Sequence, residues 1–287
     1  MTSNRVVLVA VVAVLVAACT GAGAPSPPAQ GAAAASPIAS AARSVDPSAG
    51  AAELTIYGAA SLKSALEAAK TAYEAANPGT SLTVSTDSSA ALATQIEQGA
   101  PADVFLSADT SNPKKLVDAG LADGGAVDFA GNALTVIVPT DDPAGIASPT
   151  DLATVGVRII AAGEEVPITR YATELIQNLA GEPGYPAGYA AAYAANIVTR
   201  EDNVKAVVAK IELGEGDAGI VYVTDAAASD AVGVIDLPPS ANVPATYAGV
   251  VVRASAHPEA ARAFLAWLAG PDGQAILSTF GFLPPPA

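Results

Sequence analysis

Gln95-Ile96-Glu97-Gln98-Gly99-Ala100-Pro101-Ala102-Asp103-Val104-Phe105-Leu106-Ser107-Ala108-Asp109 joins two kinds of local structure in one short stretch. Leu92 and Ile96 fall on one face of a predicted helix over 90–98. Val104-Phe105-Leu106 is an apolar run that predicts a strand. The same alternation extends in both directions. Upstream, 54–57 is a short strand stopped by Gly58, and Ser61 opens a helix with Leu62, Leu66, Ala69 and Tyr73 on one face. Lys63, Glu67, Lys70 and Glu74 lie opposite with alternating sign, as on an exposed face, and Asn77-Pro78-Gly79 ends the helix. Residues 82–84 form the next strand.

Downstream, 134–138 is a strongly apolar strand ended by Pro139. The pattern then repeats: strand 157–160, helix 168–179, helix 203–213 with Val204, Val207, Val208 and Ile211 inward, and a buried strand over 219–223. The chain closes with strand 250–252, a helix starting at Pro258 with Phe264, Trp267 and Leu268 inward, and a last helix ending at Gly281. Strands alternating with helices of this length predict an α/β fold with largely parallel sheets.

The amino terminus reads differently. Arg5 followed by the apolar run 6–16 has the charge and length of a signal peptide over 1–18 and is too short to span a bilayer comfortably. Val16-Ala17-Ala18-Cys19 looks like a lipobox, with cleavage before Cys19 and acylation of its thiol. Beyond Cys19, residues to 52 are mostly Ala, Gly, Pro and Ser, too poor in large apolar side chains to offset their ordering entropy; 19–52 reads as a lipidated tether.

The 287 residues suffice for two lobes with real cores. With 13 Lys and Arg against 28 Asp and Glu, the formal charge is -15, which argues against a nucleic-acid partner and an electrostatic hold on anionic lipid. A bound anion must be held by local dipoles. Cys19 and His257 are each the sole residue of their kind, so neither an internal disulfide nor a Cys/His zinc cluster can form. His257 precedes a helix with no serine elbow nearby, and Asp141-Asp142 and Glu164-Glu165 read as solvated loop charges, so no catalytic residues are assigned. Gly214-Glu215-Gly216-Asp217-Ala218-Gly219 matches GxGxxG, but a helix precedes it and a strand follows, the reverse of a dinucleotide site.

Four helix starts do suggest a ligand. Ser61, Ser89, Ile168 and Val204 each stand where a helix begins, with Val166-Pro167 before Ile168 and Asp202-Asn203 before Val204. Helix amino termini offer unpaired N–H groups and the positive end of the macrodipole, and several converging on one point would hold an anion without Lys or Arg. Any one alone is an ordinary N-cap.

The sequence around these points resembles the molybdate-binding component of bacterial ABC importers. The stretch 95–109 is similar to that family's QIExGAPADxFxSAD, and this is the most specific match. Gly58-Ala59-Ala60-Ser61-Leu62 resembles its AASL turn, and Ser88-Ser89 with Leu92 its second serine loop. Val166-Pro167 with Tyr171-Ala172 resembles VPxGxYA, Glu201-Asp202-Asn203-Val204-Lys205 resembles ENVR, and Gly219-Ile220-Val221-Tyr222 with Asp225-Ala226 resembles GIVYxxDA. Gly270-Pro271 through Gly281-Phe282 resembles a carboxyl-terminal pattern shared with other binding proteins. The likeness runs from about Leu54 to Phe282.

The resemblance implies a two-lobed periplasmic-binding-protein fold of type II, each lobe a mostly parallel sheet flanked by helices, with two crossover strands as hinge. Lobe 1 would comprise 53–133 plus 247–287 and lobe 2 134–246, with crossings near Asn132-Ala133-Leu134 and Tyr247-Ala248-Gly249. It implies a molybdate or tungstate oxyanion held by Ser61, Ser89, Ile168, Val204 and Tyr222, with no direct cation ligand and no cofactor. Its partners would be an ABC permease with its ATPase, and the membrane through Cys19. The protein would be a monomer on the outer face of the cytoplasmic membrane or in the periplasm. Two departures from the family pattern stand out. Thr169 occupies a usual glycine position and is expected to narrow the approach to the ion, and 181–189 is longer than usual. Asp87 beside the serine loop is expected to face solvent. Rival readings are the same fold with sulfate, phosphate or an organic anion, and an α/β enzyme.

Overall fold

The computed structural model describes residues 52–286. Cys19, the predicted signal peptide and all of the tether except Ala52 lie outside the described residues. Ala52 itself already belongs to the first strand.

In chain order, the first part comprises β1 (Ala52–Ala59), α1 (Lys63–Ala76), β2 (Thr80–Asp87), α2 (Ser89–Glu97), β3 (Val104–Ser107), α3 (Ser111–Asp118) and β4 (Val127–Asn132). The middle comprises β5 (Leu134–Pro139), β6 (Ile159–Ala162), α4 (Pro167–Gly181), α5 (Tyr189–Ala195), β7 (Ile197–Glu201), α6 (Val204–Glu212), β8 (Ala218–Tyr222), α7 (Val223–Ala227) and β9 (Val232–Ile235). The chain closes with β10 (Ala245–Val251), α8 (Pro258–Ala269) and α9 (Pro271–Thr279).

These strands form two five-stranded sheets, β2-β1-β3-β10-β4 and β7-β6-β8-β5-β9. In the first, β1 runs parallel to β2 and β3, whereas β10 runs against both β3 and β4. In the second, β6 runs parallel to β7 and β8, whereas β5 runs against both β8 and β9. Each sheet thus has four strands in one direction and one reversed, at the same place in the order. The reversed strand is in each case the one the chain lays down on arriving from the other sheet: β5 follows β4 across Ala133 alone, and β10 follows β9 across 236–244. Tyr247-Ala248-Gly249 therefore lies inside β10, already paired with β3 and β4, and the return passage comes earlier, through Pro238-Pro239, which cannot extend a strand's hydrogen bonding.

The apolar spacing explains the layers. Ala65, Leu66, Ala69 and Tyr73 make the buried stripe of α1, and Tyr73 meets Phe264 and Trp267 edge-on at 5.0 Å. All six residues of β5 are buried, as suits a strand with neighbours on both sides that packs against α6 and α7. Local boundaries differ from expectation in several places. Ser61 lies in a 3-10 turn and α1 begins only at Lys63; the strand expected over 157–160 is β6, two residues later; Val223 opens α7 instead of extending β8; and 250–251 is the tail of the longer β10, with Val252 making only a bridge to Ala122.

Candidate functional site

Parallel strands aim the helices that follow them with their amino termini at the strands' carboxyl ends, and ligands of open α/β sheets bind there. Ser61 follows β1, Ser88 and Ser89 follow β2, Ala108 follows β3, Val166 to Ile168 follow β6, Asn203 and Val204 follow β7, and Tyr222 ends β8. All of these residues line a single small cavity, together with Ala59 and Ala60. The five residues singled out from sequence thus meet, three reached from the second sheet and two from the first.

Each donor is free for a local reason. Pro167 opens α4 and has no N–H, so Ile168 supplies that helix's first backbone donor. Asn203 caps α6 by accepting the Ala206 N–H at 3.1 Å, which leaves the Val204 N–H uncapped. Ser88 is the N-cap residue of α2, yet its side chain makes no capping bond, and its Oγ is buried without a partner among the described residues. The Ser89 hydroxyl accepts from the Ala108 N–H at 3.0 Å, so its own proton is left to donate elsewhere. Ser61 Oγ lies 2.9 Å from the Tyr247 hydroxyl.

The Tyr222 hydroxyl is buried with no partner among the described residues. Burial above all, and then the neighbouring phenols of Tyr247 and Tyr171 and the Asp225 and Asp109 carboxylates, push its ionisation well above the ordinary phenol range. It therefore keeps its proton and remains a donor. Asp225, two residues after the strand's neighbour Val223, is fully buried and faces Lys205 Nζ at 2.9 Å. Burial raises its carboxyl, against the pull of Lys205.

None of the lining residues is charged. The cavity's chemistry is that of a small anion wrapped in neutral donors. Among the described residues no cluster of three or more His, Cys, Asp or Glu could hold a metal cation. His257 sits before α8 and does not reach the cavity.

Three expectations need correcting or refining. Asp87 does not face open solvent: it is half-buried, accepting from the Ser88 N–H at 2.7 Å and from Asn203 Nδ2 at 3.1 Å, a bond between the carboxyl ends of β2 and β7. Its charge is thereby engaged and turned from the cavity, which it does not line. Thr169 does not narrow the cavity either, because its hydroxyl donates to the Gly163 carbonyl at 2.7 Å. The segment over 181–189 leads into α5, where buried Tyr189 donates to the Pro149 carbonyl at 2.6 Å. Sequence reasoning missed Ser88, Ala108 and Asn203 as lining residues; the N-cap pattern that marks Ser88 and Asn203 carries no sign of whether the cap bond is made.

The sequence profile of bacterial extracellular solute-binding proteins matches residues 54–283. The chain belongs to this family. A relative in Mycobacterium tuberculosis, the molybdate-binding protein ModA, is 34% identical over 233 residues, 81% of this chain and 85% of its own. The putative ABC transporter substrate-binding lipoprotein YvgL of Bacillus subtilis is 31% identical over 231 residues, 80% of this chain and 85% of its own. The solved periplasmic molybdate-binding protein of Azotobacter vinelandii superposes with a TM-score of 0.68 at 25% identity, covering 81% of this chain and all of that one. The solute-binding protein described here shares with it the α/β architecture of two helix-flanked sheets.

Proposed function

We propose that this solute-binding protein captures molybdate or tungstate outside the cytoplasmic membrane and delivers it to an ABC permease with its ATPase. The observation that carries the reading is the convergence of neutral donors on one small, uncharged cavity. Ser61, Ser89 and Tyr222 offer hydroxyls, and Ile168 and Val204 offer backbone N–H groups; the Tyr222 hydroxyl has no acceptor among the described residues. A buried donor without an acceptor costs about 1–3 kcal/mol, which a tetrahedral oxyanion would recover. The molybdate-binding relatives support the same ligand class.

Other occupants fit less well. Hydrogen phosphate is matched best by a carboxylate that accepts its proton, and none lines the cavity. An organic anion needs more room. Sulfate has molybdate's charge but is smaller. An enzyme of the Ser-His type would need His257 beside a serine in the cavity.

On this reading 53–133 with 247–287 forms one lobe and 134–246 the other, and they close on the ion. Cys19 anchors the mature monomer through lipid. No catalytic role is assigned. A thermal melt tests the assignment. Molybdate at about a hundredfold excess over Kd should stabilise the wild type by about 2.7 kcal/mol. The Ser61→Ala, Ser89→Ala double variant should fold and lose most of that shift. An undiminished shift in the double variant would place the ion elsewhere.

A further inference from the structure

Behind Ser61 lies a chain of buried polar groups with a fixed direction. Asn132 ends β4 at the passage between the sheets and is 1% exposed. Its Oδ1 accepts from the Ala133 N–H at 2.9 Å; since that partner can only donate, the other amide atom must be the nitrogen. Asn132 Nδ2 donates to Thr224 Oγ1 at 2.9 Å and to the Tyr247 hydroxyl at 3.3 Å. Tyr247 is fully buried, and its hydroxyl has one further contact, Ser61 Oγ. Having accepted from Asn132, it has its single proton left for Ser61. Ser61 then accepts from Tyr247 and must send its own proton into the cavity it lines.

We propose that Asn132 and Tyr247 are positioning residues that lock the Ser61 hydroxyl as a donor, and so set the site for fully deprotonated oxyanions over protonated ones. Neither residue lines the cavity, and both act through Ser61. Molybdate presents only acceptors and matches a locked donor. Hydrogen phosphate carries one proton and meets, at Ser61, a group that cannot accept it. The device also sits where the chain passes between sheets, because Asn132 ties Thr224, after β8, to Tyr247, in β10. This inference rests on the oxyanion reading of the cavity.

Asn132→Asp tests it by reversing the chain. A carboxylate there would accept from Tyr247, Tyr247 would then accept from Ser61, and Ser61 would turn a lone pair toward the ion. Titration calorimetry in alkaline buffer compares molybdate with hydrogen phosphate. Both are dianions there, so the added negative charge weakens both alike and drops out of their affinity ratio. The ratio should move at least about tenfold toward hydrogen phosphate, the equivalent of one mismatched buried hydrogen bond. Tyr247→Phe, which frees the Ser61 hydroxyl, should move it the same way by less, and decides the matter if Asn132→Asp does not fold. Equal weakening of both ligands in the folded variants would reduce Asn132 and Tyr247 to structural roles and overturn the proposal. A wild type that binds no tetrahedral oxyanion would instead overturn the reading of the cavity, and this inference with it.

Discussion

The hydroxyl of Tyr222 is buried beside Tyr171 and Tyr247, with ring centroids at 6.4 and 5.6 Å, and has no partner among the described residues. Removing it should therefore separate stability from binding. Tyr222→Phe is expected to leave the melting temperature of the ligand-free protein unchanged or slightly higher, since an unpaired polar group leaves the core. Molybdate affinity should fall by about 1–2 kcal/mol, or roughly tenfold. Melting curves with and without ligand check both halves; a variant that melts lower with full affinity would make the hydroxyl structural. That the five positions would meet at one cavity was legible because each sits in a short motif with its own helix start or strand end. The groups behind them were not. Ser61 and Tyr247 are 186 residues apart in sequence and Asn132 and Tyr247 are 115 apart, so no local pattern links them.

At the scale of elements, the strands read correctly from sequence were chiefly central ones. β1, β3, β5, β6 and β8 each have neighbours on both sides; β3, β5, β6 and β8 carry nearly continuous buried positions, and β1 alternates but keeps Leu54 and Ile56 fully buried. The strands left unread, β4, β7 and β9, are all edges. Edge strands are half solvated, as the charged Ile197–Glu201 illustrates, and they lose the apolar signature. Asp217 shows how a polar residue sets the start of a central pair. It accepts from the Arg158 backbone N–H at 2.7 Å and pairs with its guanidinium at 2.8 Å, joining the approaches to β6 and β8. Burial pushes the Asp217 carboxyl up, but the Arg158 contacts outweigh it and hold it below the usual range. A carboxyl whose folded ionisation lies below its unfolded one stabilises above the unfolded value, about 3.9, and loses that contribution as pH falls through the folded value. Asp217→Asn should thus lower stability at neutral pH by about 1–2 kcal/mol, and the difference should vanish in strong acid. A deficit independent of pH, followed by denaturant melts, would contradict the ionic account.

For the whole molecule, the two sheets repeat one strand order and exchange one reversed strand each, so the chain passes twice between them. This exchange brings the carboxyl ends of both sheets' parallel strands to one cavity. Side-chain bonds that reach from one part to the other include Arg170 Nη1 to Ser111 Oγ at 2.9 Å, Asn203 Nδ2 to Asp87 Oδ1 at 3.1 Å and, at the passage itself, Asn132 Nδ2 to Thr224 Oγ1 at 2.9 Å. On the proposed reading the two passages act as a hinge, and the ion favours the closed arrangement. Molybdate should therefore reduce the radius of gyration in small-angle scattering, and an unchanged radius at saturation would count against closure.

The central claim, that neutral donors fixed on helix ends and strand ends are spaced for a molybdate-sized ion, is tested most directly by calorimetric competition between molybdate and sulfate. On this account the smaller sulfate would not reach every donor at once, and two donors left unpaired would cost at least about 2 kcal/mol together, or roughly 30-fold. The account predicts one molybdate bound per chain, displaced by tungstate at comparable concentration and by sulfate only at an excess of about 30-fold or more. Sulfate displacing molybdate at equal concentration would contradict it.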